Sequence, residues 1–94
     1  MTSSKRYKMN VKVRRYHHVN YIVNLIRELF SGKEIEVRVS EDGKYYGYVT
    51  TKDIEEACKS APAKIANKKS MLIARFGDDA HGFPLAQHEI IEIN

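Results

Sequence analysis

The stretch that decides the fold is residues 44–50, which read Lys-Tyr-Tyr-Gly-Tyr-Val-Thr and follow the turn sequence Glu41-Asp42-Gly43. An Asp-Gly pair between two alternating segments is typical of a tight β-hairpin, because glycine adopts the positive φ that such turns require. The sequence therefore predicts that a strand over 35–40 folds back on a strand over 44–50.

Alternation along these two strands predicts which side chains face solvent. Successive side chains of a strand point to opposite faces, so Lys44, Tyr46 and Tyr48 share one face. In the partner strand every second position from 35 to 39 is isoleucine or valine, and this apolar set must face the core. We therefore expect Lys44, Tyr46 and Tyr48 to form an exposed row of one cation and two rings.

Such a row has a structural and a functional interpretation. Tyrosine favours strands, and cross-strand aromatic pairs stabilise sheets by about 0.2–1 kcal/mol. Alternatively, unpaired nucleic-acid bases stack on aromatic side chains for about 1–3 kcal/mol each, while a neighbouring cation meets a phosphate. The order of the residues, and not only their type, favours the second interpretation.

This order resembles the third-strand signature of the RNA recognition motif family, in which a basic residue precedes an aromatic–glycine–aromatic–valine run. The matching residues are Lys44, Tyr46, Gly47, Tyr48 and Val49. The resemblance covers about residues 8–76. It implies a non-enzymatic protein that binds single-stranded RNA on the open face of its sheet.

The sequence departs from that family's pattern in three places. Tyr45 stands where glycine is usual, and Thr51 stands where an aromatic residue is usual. The first strand carries Asn10 or Lys12 where the family has a second exposed aromatic. A platform that lacks one ring is expected to bind RNA less tightly or to bind something else.

Residues 7–16 alternate between apolar and polar side chains, which predicts a strand with a basic outer face. Lys12, Arg14 and Tyr16 lie on that outer face. If this strand pairs beside residues 44–50, Lys12 and Arg14 lie near the two tyrosines. The exposed face would then interleave cations with aromatic rings.

The remaining periodicity predicts two helices and a last strand. Apolar residues from 19 to 30 follow helical spacing and Gly32 ends this helix. Thr50 and Asp53 approximate a capping box for a second helix, which Pro62 ends. Residues 62–70 are interpreted as a connector and residues 71–76 as a strand. Lys64, Lys68 and Lys69 of the connector are expected to be solvated, with an extra phosphate contact as the alternative. The predicted fold class is α+β, a ferredoxin-like β-α-β-β-α-β sandwich whose four-stranded antiparallel sheet carries two helices on one face.

The predicted domain organisation has three parts. Residues 1–6 form a flexible basic tail, residues 7–80 the domain that resembles an RNA recognition motif, and residues 81–94 a short C-terminal extension. Either a helix started by Pro84 or a strand ending near Ile93 fits the extension, and we favour the strand. The extension could cover the open face or form a dimer contact.

Charge is concentrated at the N-terminus. The chain has a net charge of +4, yet residues 1–18 carry six cations and no acid. Residues 19–94 therefore carry a net charge of −2. A basic terminal block is typical of an arm that binds nucleic acid, or of a segment that only aids solubility.

Composition limits the other function classes. No apolar run reaches the ~18–20 residues of a membrane span. The single cysteine, Cys58, cannot form an internal disulfide, which favours a reducing, cytoplasmic setting. His17 and His18 are adjacent and point apart, so we expect neither a metal nor another cofactor. His18 resembles the histidine of sugar-transport phosphocarriers, but the arginine and proline of that family do not follow it.

The sequence leads to two function hypotheses. The first is binding of single-stranded RNA, by a monomer or homodimer that does not engage membranes. The second is a protein-interaction or inhibitor module whose tyrosine- and arginine-rich surface meets an acidic protein. The candidate binding residues are Lys12, Arg14, Arg15, Tyr16, Lys44, Tyr46 and Tyr48.

Overall fold

The computed structural model describes residues 3–9 and 21–92. Its strands and helices are, in chain order, β1 (Ser3–Met9), α1 (Tyr21–Leu29), β2 (Glu34–Val39), β3 (Tyr45–Tyr48), α2 (Thr51–Lys59), α3 (Ala63–Ala66), α4 (Lys69–Phe76), β4 (Phe83–Leu85) and β5 (Ile90–Glu92). Short 3₁₀ turns follow α4 and precede β5. The predicted α+β class, with helices packed on an antiparallel sheet, is confirmed.

Within residues 3–9 and 21–92, five antiparallel strands form one sheet in the order β4-β3-β2-β1-β5. Strand β1 pairs with β2 on one side and β5 on the other, so β2 separates it from β3. The prediction that the first strand lies beside the third is therefore wrong, and the sheet has five strands where four were predicted. The predicted order β-α-β-β-α is confirmed for the elements β1 to α2. The sequence also placed residues 1–6 in a tail, whereas β1 begins at Ser3.

The predicted last strand, residues 71–76, lies inside helix α4, and the predicted connector contains α3. Leu72 and Phe76 are both buried, and their separation of four residues places them on one face of a helix. Ile65 of α3 is buried in the same core. A six-residue apolar window is too short to distinguish a strand from a buried helix.

The hairpin at the centre of the sequence forms as predicted. Gly43 has a φ of 82°, and its N–H donates to the carbonyl of Ser40 at 2.9 Å. The Ser40 hydroxyl donates to the Asp42 carboxylate. This hydrogen bond, with help from Lys44, holds the pKa of Asp42 below its usual range. The turn sets the register, with Tyr46 opposite Arg38.

The ends of the first two helices also follow the sequence. Gly32, beyond the end of α1, has a φ of 77°, a conformation that glycine adopts at low cost. At the start of α2, the N–H of Asp53 donates to the Thr50 hydroxyl at 3.1 Å, and the N–H of Thr50 donates to the Asp53 carboxylate at 3.0 Å. This is the capping box that the sequence predicts.

The C-terminal segment forms both edges of the sheet. Strand β4 pairs with β3, and β5 pairs with the end of β1. Phe83 and Leu85 are buried in the core that the helices share. The favoured interpretation as one strand holds in part, because the segment forms two short strands separated by a 3₁₀ turn at Gln87–Glu89. Pro84 lies within β4 and starts no helix. Both strands widen the sheet and do not lie across it.

Gly47 allows Phe83 to pack directly against β3. A Cβ at position 47 would lie 2.7 Å from the Phe83 ring and 3.0 Å from Ile35 Cδ1. Both neighbours are almost completely buried, so they have little room to move. The glycine of the hairpin stretch is therefore a packing requirement.

We expect Gly47→Ala to lower the free energy of unfolding by about 1–3 kcal/mol, because it overpacks the core. Urea denaturation measures the change. Adding Phe83→Leu to this variant makes room for the new methyl group, so the two substitutions should be less destabilising together than their sum. Wild-type stability in Gly47→Ala would contradict this packing.

Candidate nucleic-acid interface

The sheet has one face that is turned away from the helices, which we call the outer face. On the other face, Ile35, Val37 and Gly47 are buried. Residues at the alternate positions, and those paired with them across the ladders, belong to the outer face. Its members include Arg6, Lys8, Glu34, Glu36, Arg38, Tyr46, Tyr48, Pro84 and Ile91, which is paired with Lys8 and is 51 % exposed.

Tyr48 lies between an arginine and a glycine. The guanidinium carbon of Arg38 is 4.0 Å from the centroid of the Tyr48 ring, which is cation–π geometry. On another side, a Cβ on Gly82 would lie 2.6 Å from Tyr48 Cζ, so the backbone there touches the ring. These two contacts leave Tyr48 half-buried.

Arg38 is also held by a carboxylate. Its Nη2 atom donates to Glu36 Oε1 at 2.6 Å, and both side chains are about 30 % exposed. The guanidinium therefore lies over Tyr48 in a fixed orientation. Cation, ring and carboxylate form one connected group on the outer face.

Tyr46 lies between Arg38 of β2 and Pro84 of β4 in the cross-strand register. It is half-buried, whereas Lys44 is exposed and its Nζ lies 3.8 Å from an Asp42 oxygen. The predicted row of Lys44, Tyr46 and Tyr48 is thus on one face. The two rings are less exposed than expected, because neighbours on β2 and β4 flank them.

The other four predicted site residues, Lys12, Arg14, Arg15 and Tyr16, lie outside the described residues. The described part of the face takes its cations from Arg6, Lys8 and Arg38 instead. The sequence reasoning missed Arg38, although alternation in β2 was sufficient to place it on the face of the tyrosines. Together with Lys44, the outer face, as far as it is described, has four cationic side chains and two carboxylates, those of Glu34 and Glu36.

The described residues offer little for other kinds of chemistry. Cys58 is 7 % exposed on the inner side of α2, and desolvation raises the pKa of its thiol, which disfavours a reactive thiolate. Within ranges 3–9 and 21–92, no three histidine, cysteine or acidic side chains are grouped as metal ligands. In the same ranges, no helix is long and apolar enough to cross a membrane.

Comparison with known families decides where the chain belongs. The family described as ribosomal protein L9, C-terminal domain, matches residues 19–78. The chain belongs to this family. The match to the L9 C-terminal domain runs from the start of α1 to the end of α4 and includes the whole β2–β3 hairpin. Searches of curated proteins and of solved structures find no match.

Membership of the L9 C-terminal domain family overturns the resemblance to the RNA recognition motif. The stretch at residues 44–50 is a local pattern that suits a hairpin followed by a capped helix, and two different sheet topologies can contain it. The strand order β4-β3-β2-β1-β5 agrees with this correction, because β1 lies away from β3. A ribosomal-protein family remains consistent with the predicted class, a non-enzymatic nucleic-acid-binding protein.

Proposed function

We propose that this chain is a non-enzymatic RNA-binding domain that contacts ribosomal RNA through the outer face of its sheet. The proposal rests mainly on the family match over residues 19–78, because that family is named after a ribosomal protein. The chemistry of the outer face supports it, because aromatic rings beside arginine and lysine suit bases beside phosphates. A ribosomal partner also accords with the cytoplasmic setting expected from the sequence.

Bases would stack at two places on the outer face. Tyr46 offers an aromatic surface beside Pro84. At the second place, Arg38 already covers one face of the Tyr48 ring at 4.0 Å. An unpaired base can stack on a guanidinium plane as well as on an aromatic ring. The Arg38–Tyr48 pair would therefore receive a base on the arginine.

Phosphates would bind to the cations around the rings. Arg6 and Lys8 of β1 and Lys44 at the start of the β3 side of the hairpin are exposed on the outer face. The basic segment with Lys12, Arg14, Arg15 and Tyr16 adds further positive charge close to β1 in sequence. Stacking requires bases that are free of a partner, so we expect a preference for single-stranded or looped RNA over duplex.

The test is the paired substitution Tyr46→Ala and Tyr48→Ala. Loss of Tyr46 removes a base–ring stack of about 1–3 kcal/mol, and loss of Tyr48 removes the ring that supports the Arg38 guanidinium, so the Kd for single-stranded RNA should rise by at least about 5-fold. Fluorescence anisotropy measures the Kd, and circular dichroism checks the fold. Tyr21→Ala is the matched control, because Tyr21 is a tyrosine of α1 that is 51 % exposed. If the folded double variant binds RNA with wild-type affinity, the rings of Tyr46 and Tyr48 are not part of the interface.

A second candidate is an interface with an acidic protein. This candidate is favoured because Arg38 holds the Glu36 carboxylate at 2.6 Å, which is the kind of group that an acidic partner would supply. Tyrosine and arginine are also enriched in interface hot spots. A pull-down repeated after nuclease treatment separates the two functions. Partners that survive the nuclease favour the protein interface, and partners lost with the RNA favour the ribosomal RNA proposal.

A further inference from the structure

A second positive surface lies on the helices. Residues 57–77 contain five lysines and arginines and no acidic residue. Three of these, Lys64, Lys68 and Lys69, lie on α3 and at the start of α4, and all three are exposed. We call them the lysine patch.

Among the described residues, some lysines have a carboxylate within ion-pair distance and others do not, and the patch belongs to the second group together with Lys8, Lys33 and Lys52. Lys5, Lys44 and Lys59 each lie 2.8–3.8 Å from a carboxylate. Within the part of the chain that the structure describes, the lysine patch has no such ion pair. Three cations whose charge is not neutralised by nearby acids create a local positive potential that attracts polyanions.

The helices that carry the lysine patch are packed against the core. Ile65 of α3 is 4 % exposed and Leu72 of α4 is completely buried, so both helices are anchored in the core. The segment was predicted to be a connector, where lysines would move independently. Because it is helical, the three ammonium groups are carried by packed elements instead.

Stability of α4 does not account for these charges. The first turn of α4 has no acid, and Lys68 and Lys69 stand at its N-terminal end. Cations there oppose the helix dipole, which favours negative charge at this end. Lys68 and Lys69 therefore disfavour the helix that they begin, and an external partner explains these two charges better; Lys64 lies in the last turn of α3, where a cation is favourable.

The lysine patch and the outer face lie on opposite layers of the domain. The core joins the inner face of the sheet to α3 and α4, so the patch is separated from Tyr46 and Tyr48 by that core. The domain measures 35 × 27 × 26 Å. A short RNA segment stacked on the outer face would leave the patch free.

We propose that the lysine patch is a second RNA-binding surface, which contacts phosphodiester groups, so that one domain bridges two RNA segments. This inference rests on the proposed function, because the outer face supplies the other contact. The patch carries no aromatic side chain, since its neighbours in sequence are alanine, asparagine, isoleucine and serine. The lysine patch therefore recognises the negative charge of the RNA backbone and not the identity of its bases.

The test uses two RNA oligonucleotides of about six nucleotides, within the range of one small binding surface, one with a donor dye and one with an acceptor. The parent protein should bring the dyes together as a complex of one protein and two oligonucleotides, checked by sedimentation. Lys64→Gln/Lys68→Gln/Lys69→Gln should abolish this energy transfer and retain binding of one oligonucleotide. For a longer RNA that reaches both surfaces, the slope of log Kd against log salt should fall by about 2.

The control, Lys33→Gln/Lys52→Gln/Lys59→Gln, removes the same charge from outside the patch and the outer face and should keep the energy transfer. Energy transfer that persists in the patch variant overturns the inference, as does a complex containing two proteins. If the patch variant binds RNA as the parent does but no longer binds polyglutamate, the patch binds a protein partner and the inference is overturned. The Tyr46→Ala/Tyr48→Ala variant tests the proposed function separately, because it leaves the patch intact.

Discussion

Replacing Arg27 with methionine is expected to lower the free energy of unfolding by about 3–5 kcal/mol, because it leaves a buried carboxylate without its counter-charge. Arg27 of α1 and Glu89, just before β5, are 3 % and 2 % exposed. The Arg27 Nε donates to Glu89 Oε2 at 3.0 Å, and Nη2 pairs with Oε1. The N–H of Ala86 also donates to Oε1, at 2.9 Å.

The Arg27→Met result is measured by urea denaturation against a matched control. Lys59 and Glu56 form an exposed pair at 2.8 Å, so Lys59→Met should cost less than about 1 kcal/mol. Adding Glu89→Leu to Arg27→Met should recover much of the loss, because an apolar pair replaces the stranded charge. If Arg27→Met and Lys59→Met lower the free energy of unfolding equally, the Arg27–Glu89 ion pair does not stabilise the packing of the C-terminal segment.

The second large effect is expected from Phe83→Ala, which should lower the free energy of unfolding by about 3–5 kcal/mol. Phe83 of β4 is completely buried, and its ring meets the Phe76 ring edge-on at 5.7 Å. It also fills the space that Gly47 leaves open. Truncation would create a cavity between β3 and α4 that these anchored elements cannot close.

Thermal and urea unfolding measure the Phe83→Ala effect, and Tyr21→Ala is the control, because it removes an aromatic ring that is 51 % exposed. A loss below about 1 kcal/mol would mean that the site collapses or that β4 is not packed on the core. The outcome also bears on the domain division expected from the sequence, since both Phe83 and Glu89 follow the proposed boundary at residue 80.

The features that the sequence predicted are those that depend on near neighbours. The turn at Gly43 and the capping box of Thr50 and Asp53 involve residues no more than three positions apart. Alternation in β3 was enough to place Tyr46 and Tyr48 on one face. The conformation of each feature is determined by local sterics and hydrogen bonding, which a single sequence contains.

The features that the sequence did not predict depend on distant residues. Strand order follows from β1 pairing with β2 and β5, which are separated from it by tens of residues along the chain. The Arg27–Glu89 pair joins residues 62 positions apart. Helix α4 was misread because its short apolar run suits a strand as well as a helix. In a strand Ala74 would share the buried face of Leu72 and Phe76, whereas it is exposed.

The resemblance to the RNA recognition motif failed for the same reason. The stretch at residues 44–50 determines a hairpin and a helix start, and these are compatible with more than one sheet topology. The topology is set by the pairing partner of β1, about which residues 44–50 carry no information. The family match over residues 19–78 spans α1, the hairpin and α2 to α4 together.

The most direct test of the account is a titration of the isotopically labelled protein with single-stranded RNA, followed by amide chemical shifts in NMR spectra. If the outer face binds RNA, the largest changes should fall on β2 and β3 around Arg38, Tyr46 and Tyr48, and should weaken in the Tyr46→Ala/Tyr48→Ala variant. Shift changes confined to the helices, with β2 and β3 unaffected at saturating RNA, would contradict the proposal that the sheet is the interface.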